Sequence, residues 1–191
     1  MINSIRFKFG RARGMKHTEF DVTPVTVFVG PNNSGKSKVL SEIQRYCTRG
    51  MKVENDLILD ELVFNKFTVQ SAEENMEYIT LKPNNNEVLQ TNNVIVGKRG
   101  SRMQVPKAEL LQALQQPNAH TNLFCAWYLS YNTIILDGKS RIDLINKQKV
   151  SDLQQPSHSS FQVLFSDNDK RKKVRRIVHD AFNSYFVIDP H

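Results

Sequence analysis

Residues Gly30 to Ser37 read Gly-Pro-Asn-Asn-Ser-Gly-Lys-Ser, placing two glycines, a lysine and a hydroxyl at the spacing G-x-x-x-x-G-K-S. Glycine at both ends lets the backbone curl until successive N–H groups converge, and converging N–H groups suit an anion. A helix starting behind the loop would aim its N-terminal partial positive charge at the same point. Lys36 adds a full charge, and the Ser37 hydroxyl supplies an oxygen ligand for a hard cation. This is the phosphate-loop pattern. At ordinary residue frequencies it matches by chance at about 4 start positions in 100,000, so an accident in a chain of this size is under about 1%. The expected ligand is a nucleoside triphosphate, ATP, with Mg²⁺. The expected binding set is Gly30, Pro31, Asn32, Asn33, Ser34, Gly35, Lys36, Ser37 and Lys38, with Ser37 on the metal.

A phosphate loop needs a strand before it and a helix after it. Val25-Thr26-Val27-Phe28-Val29 is apolar almost throughout, as strands buried on both faces of a parallel sheet are. Behind the loop, Val39, Leu40, Ile43 and Cys47 recur at helical spacing, with Gly50 as a stop. Residues 2–9 alternate like a half-buried strand and could pair with 15–21 across Gly10–Gly14. Residues 57–105 are rich in Val, Ile, Thr and Phe, broken by Asn-rich turns, and read as an antiparallel β region. Pro106–Gln116 reads as a helix closed by Pro117. Tyr131–Leu136 and Arg141–Asn146 flank Asp137-Gly138, a hairpin signal. A polar linker at Gln154–His158 precedes a helix over 166–183. The expected fold class is therefore α/β: a P-loop NTPase with parallel core strands, an antiparallel β region and a few helices. Its expected parts are 1–50 (strand, loop and helix), 51–150 (mainly antiparallel β) and 151–191 (the start of a helical lobe).

The composition is that of a globular chain. It is 39% hydrophobic and 24% charged over 191 residues, which suffices for one buried core. No run of about 18 apolar residues exists, so no membrane span is expected. Cys47 and Cys125 lack metal-type spacing and fit buried thiols in a reducing cytoplasm, the expected location. A net charge of +7 favours a polyanionic partner without requiring one.

The loop's wording, GPNNSGKS after VTVFV and before a helix containing Tyr46, resembles the ABC-type ATPases of the RecF, chromosome-maintenance (SMC) and OLD-nuclease branch. Strand, short basic turn, strand and phosphate loop follow one another in that order over residues 1–50, where the resemblance is strong; beyond them it is weak. It implies an ATP-driven head that dimerises around nucleotide and serves DNA repair or phage defence. It also implies that Arg11 and Arg13, in the basic turn, lie near the adenine and α-phosphate; a solvated turn explains them equally. Gln154 and Gln155 stand where a coupling glutamine is expected, in a linker that would hold glutamine anyway.

The departures are in the catalytic motifs. No L-S-G-G-like signature, switch histidine or complete Walker B strand is present. Ile134-Ile135-Leu136-Asp137 and Tyr185-Phe186-Val187-Ile188-Asp189 end apolar runs in aspartate, but Gly138 and Pro190 follow where a glutamate belongs. The resemblance thus implies the N-terminal part of a longer ATPase, with catalytic residues unknown and little turnover by this chain alone. Two other readings stay open: a P-loop kinase or phosphotransferase, and a regulatory nucleotide-binding module that never hydrolyses.

One further segment could carry function. Lys170, Arg171, Lys172, Lys173, Arg175 and Arg176 crowd the first half of a helix whose apolar stripe is Val174, Ile177, Val178, Ala181 and Phe182. The helix dipole disfavours cations there, so an anionic partner, nucleic acid among them, would explain their position. A solubilising face is the alternative. Ser166 and Asp169 have capping-box spacing at its start.

Overall fold

The computed structural model of the chain describes residues 1–10, 17–98, 101–137, 139–140, 142 and 160–187. Strand β1 (Ile2–Phe7) is the middle of a three-stranded sheet of order β2-β1-β3. Its alternation lets it pair antiparallel on both sides. Ile5 faces Phe20 of β2 (Glu19–Asp21) and Leu62 of β3 (Leu59–Phe64). The pairing expected of 15–21 is realised over Glu19–Asp21.

Helix α1 (Lys36–Arg49) follows the loop and ends at Gly50, whose amide closes on the Tyr46 carbonyl at 2.8 Å. Its buried residues are Val39, Glu42, Tyr46 and Cys47. The inward stripe is therefore rotated from the one the apolar residues suggest: Leu40 is exposed, and the buried place near it belongs to a glutamate.

Residues 57–105 are not a continuous β region. Helix α2 (Val69–Ile79) lies between β3 and a second sheet. Thr68 caps it by accepting the Ser71 amide at 3.2 Å, and Ala72, Met76 and Ile79 form a buried stripe at helical spacing. The second sheet orders β4 (Thr80–Leu81), β5 (Asn93–Lys98) and β6 (Ser101–Pro106) as β4-β5-β6, all antiparallel. Helix α3 (Lys107–Gln115) begins directly after Pro106. Helix α4 joins Thr121–Phe124, a π-helical turn Cys125–Leu129 and Ser130–Asn132. Two more helices, α5 (Ser160–Ser166) and α6 (Asn168–Phe182), complete the described elements.

The core sits between the first sheet and helices α1–α4. Leu59 and Phe64 from β3, Ala72 and Met76 from α2, Leu110 and Leu114 from α3, and Phe124 and Tyr128 from α4 meet there. Phe124 packs 5.1 Å from Phe64 and 5.4 Å from Tyr128, ring centre to ring centre. Truncating a buried aromatic of this kind costs about 3–5 kcal/mol. Asn118 completes the edge of β3, accepting the Phe64 amide at 2.8 Å and donating to the Phe64 carbonyl at 2.9 Å.

Three sequence expectations need correction. First, Val25–Val29 is not a strand: among the described residues it pairs with no other strand, and no parallel pair is formed. Val25, Val27 and Val29 are 77%, 71% and 85% exposed, so the apolar run is uncovered. Only Phe28 turns inward, against Phe7 and Phe20. Second, among the described residues no strand flanks Asp137; Gly138, Arg141 and residues 143–146 of the expected hairpin lie outside them. Residues 131–132 are helical and 133–137 are irregular; Asp137 Oδ1 accepts the Ser140 amide at 2.6 Å, and residues 139–140 are helical. A side chain that captures a following amide starts a helical turn in place of a β-turn. Third, the helix expected over 166–183 is present as α6 but starts at Asn168, with Ser166 ending α5. Asp167 caps α6 by accepting the Asp169 and Lys170 amides at 3.1 and 3.0 Å, while Ser166 bonds back to Gln162. Among the described residues, no helix is long and apolar enough to cross a membrane.

Candidate functional site

The loop is shaped by two residues with positive φ, Asn33 (63°) and Gly35 (86°). Gly35 serves as the N-cap of α1 in the left-handed region, which favours glycine. A Cβ there would also stand 3.0 Å from Ile58 Cδ1. Gly30 is needed for space, since a Cβ would meet Ser34 Oγ at 2.7 Å. The result is a concavity of about 610 Å³ lined by seven consecutive residues, Asn32, Asn33, Ser34, Gly35, Lys36, Ser37 and Lys38. Its floor is the first turn of α1, where backbone N–H groups have no partner within the helix.

Lys36 folds back into the loop. Its ammonium donates to the Gly30 and Pro31 carbonyls at 2.7 and 2.6 Å and to Ser34 Oγ at 3.3 Å. Carbonyl oxygens of the loop thus hold the Lys36 ammonium against the loop backbone. Lys38 does not share this arrangement; it lies 3.7 Å from the carboxylate of Glu42, one turn along α1.

Glu42 holds the loop helix to the sheet. It is fully buried and accepts the amides of Leu57, Ile58 and Leu59 at 2.8, 2.9 and 2.8 Å. Burial pushes its carboxyl pKa up, but the three amides and Lys38 outweigh that and leave it below its ordinary value. The carboxylate therefore stays charged and fixes Ile58 against Gly35. Nothing in the apolar pattern marks Glu42; the one hint is a charged residue where the helical stripe needs an inward side chain.

A second concavity, a groove of about 1250 Å³, runs beside α1. Ser37, Leu40 and Ile43 of α1, Val22–Pro24 and Ile134–Asp137 are among its lining residues. Ser37 and Asp137 therefore face one groove, and the first Walker-B-like run is brought beside the loop helix. The second run is not: Tyr185 stacks on His179 at 4.6 Å, beneath the Arg175 guanidinium, and Ile188–Asp189 lie outside the described residues. Arg11, Arg13, Gln154 and Gln155 also lie outside them.

A magnesium ion fits this setting. Mg²⁺ takes one or two protein oxygens and completes its shell with water and phosphate. Ser37, exposed at the mouth of the loop, offers such an oxygen. Among the described residues no three His, Cys, Asp or Glu side chains gather at a metal-binding point. Cys47 and Cys125 are buried, which pushes both thiols up to about 12 and keeps them unreactive.

The cations of α6 are not equivalent. Arg171 bonds the Phe165 carbonyl at 2.9 Å and Asn168 at 3.0 Å, closing the end of α5. Lys170 lies 3.2 Å from Asp167, Arg176 3.9 Å from Asp180, and Arg175 over Tyr185. Lys172 and Lys173 are exposed and make no ion pair among the described residues. No residue of α6 is buried.

Neither a protein-family model, nor a curated protein, nor a solved structure matches the chain.

Proposed function

We propose that the chain binds ATP with Mg²⁺ through Gly30–Lys38, as the nucleotide-binding part of an ABC-type ATPase head. The observation that carries this reading is the concavity made from Asn32–Lys38 alone, with the Lys36 ammonium already held by loop carbonyls. Its volume lies in the range of small-molecule sites, about 300–1,000 Å³. When nucleotide enters, Lys36 exchanges the Gly30 and Pro31 carbonyls for β- and γ-phosphate oxygens. The amides of the first turn of α1 would orient the phosphate chain, and Ser37 Oγ would hold the metal. Bound Mg²⁺ supplies charge neutralisation on the phosphates. Glu42 keeps the helix that carries Lys36 and Ser37 at a fixed distance from β3.

Among the described residues no glutamate lines either concavity, so turnover by this chain alone is expected to be negligible. Asp137 is the carboxylate to examine, since it shares the groove with Ser37. Head-to-head dimerisation and a role in DNA repair or phage defence belong to the same proposal and rest on the resemblance of residues 1–50; cytoplasmic location rests on the two buried thiols. Competition of ATP, ADP and AMP for a fluorescent nucleotide tests it. ATP should compete best in the presence of Mg²⁺, and equal competition by AMP would contradict a phosphate-directed site. Steady hydrolysis near 1 s⁻¹, the low end for enzymes, would show that the chain already holds its catalytic residues.

A further inference from the structure

Helix α6 lines neither the phosphate concavity nor the groove beside α1. It carries six cations against two aspartates, and the cations crowd its first half, where the helix dipole opposes them. Lys172, Arg175, His179 and Phe182 recur at three- and four-residue spacing, so they form one stripe along the helix. Lys173 and Arg176 continue the charge along one side of that stripe. Asp169 and Asp180 fall outside it; Asp180 lies 3.9 Å from Arg176 and 3.6 Å from His179. Phe182 is 74% exposed and makes no ring contact among the described residues. Tyr185, 67% exposed, extends the stripe by stacking on His179 at 4.6 Å, with the Arg175 guanidinium 5.6 Å from its ring centre. Exposed rings therefore stand among exposed cations.

A solubilising face uses the charge and gains nothing from the rings. A helix that lies on a lipid surface keeps its cations and its apolar face apart, whereas Phe182 shares its stripe with Lys172 and Arg175. Rings among cations suit a ligand that offers flat apolar faces and phosphates at short, regular intervals. In a duplex the base faces are already stacked on one another, so a helix surface meets mainly phosphates. A single strand offers both. We infer that α6 and Tyr185 bind single-stranded nucleic acid, with a base stacked on Phe182 and phosphates along Lys172, Arg175 and Arg176. Stacking and phosphate contacts accept any base, so the binding is independent of sequence. The inference does not depend on nucleotide binding at Gly30–Lys38.

The test is fluorescence anisotropy of a labelled oligothymidine of about 20 nucleotides, longer than a typical single-strand site. The full chain is titrated against this strand and against its duplex with the deoxyadenosine complement, at one low ionic strength. The strand should bind about tenfold more tightly than the duplex, the worth of one stacked base. Phe182→Ala and Phe182→Leu should each remove that advantage while leaving duplex affinity and melting temperature unchanged, since the ring they replace is exposed. Phe182→Trp should keep it. The salt slope should be the same in all three variants, because no cation is removed. Oligouridine run in parallel shows which sugar is preferred, and tighter binding of either strand than of the duplex supports the site. Equal affinity for strand and duplex, unchanged strand affinity in Phe182→Ala, or displacement of the strand by ATP with Mg²⁺ at constant ionic strength overturns the proposal. No strand binding at about 100 µM protein, the weak end of non-specific affinities, overturns it too. Binding of phosphatidylserine vesicles in place of the strand would then mark α6 as a lipid-surface helix.

Discussion

Glu42 and Leu59 meet at 2.8 Å, a buried carboxylate oxygen on the loop helix accepting the first amide of a strand of the first sheet. With the Ile58 and Leu57 amides it forms the tether between the helix behind the phosphate loop and the sheet. Glu42→Gln keeps the shape but removes the charge and replaces one acceptor oxygen with a donor, leaving at least one of the three amides without its acceptor. The expected loss is about 1–3 kcal/mol. Urea unfolding should show a lower midpoint with an unchanged slope, and an unmoved midpoint would contradict the tether.

Asp60 predicts an acid-labile term. Hydrogen bonds from Lys52 at 2.9 Å and Arg6 at 2.7 Å hold its carboxyl at about 2, below its ordinary 3.8. A carboxyl pKa depressed by folding adds stability above its unfolded value and loses it as pH falls through its folded value. The window is therefore about pH 4 down to 2. Full linkage would give roughly 2 kcal/mol; solvent around the half-exposed Arg6 and Lys52 reduces this to about 1 kcal/mol. The stability difference between wild type and Asp60→Asn, followed by thermal melting, should shrink across that window. A difference independent of pH would show that the cluster adds nothing.

If α6 meets a nucleic-acid backbone, affinity should fall with salt by a log–log slope of about −0.9 per neutralised duplex phosphate. Replacing Lys172, Lys173 and Arg176 with Gln should flatten that slope by up to about 3 units and leave ATP affinity intact. Arg171 is left out because it closes α5. An unchanged slope would leave these cations as a solvated face.

The elements legible in the sequence are those whose pattern is local. Helix α1 and the β1–β2 pair follow from residue spacing and a short turn. Helix α2 was also local, since Ala72, Met76 and Ile79 recur at helical spacing behind the Thr68 cap, but the β-branched residues flanking the stretch mask it when composition is read instead of spacing. The run Val25–Val29 misleads for a different reason. Its composition is that of a strand covered on both faces, yet Val25, Val27 and Val29 stay exposed and pair with no strand among the described residues. At Asp137, one side-chain bond to Ser140 overrides a strong turn dipeptide. The concavity at Asn32–Lys38 falls on residues that the sequence spacing singles out; the Glu42 tether and the groove lined by both Ser37 and Asp137 needed tertiary structure.

Backbone geometry gives another test. Gly35→Ala adds a methyl in a left-handed conformation and against Ile58, so it should cost about 1–3 kcal/mol or distort the loop. Either outcome should weaken nucleotide binding; wild-type affinity and melting temperature together would contradict the geometry described for the cap.

The most direct measurement is isothermal titration of the chain with ATP in the presence of Mg²⁺, repeated with Lys36→Ala. The wild type should bind one equivalent, and the variant should bind at least tenfold more weakly, because it loses the only ammonium that the loop encloses among the described residues. Circular dichroism should show that the variant keeps its helices. Equal affinity for the two folded proteins, or no heat from the wild type at millimolar ATP, would contradict a phosphate site at Gly30–Lys38.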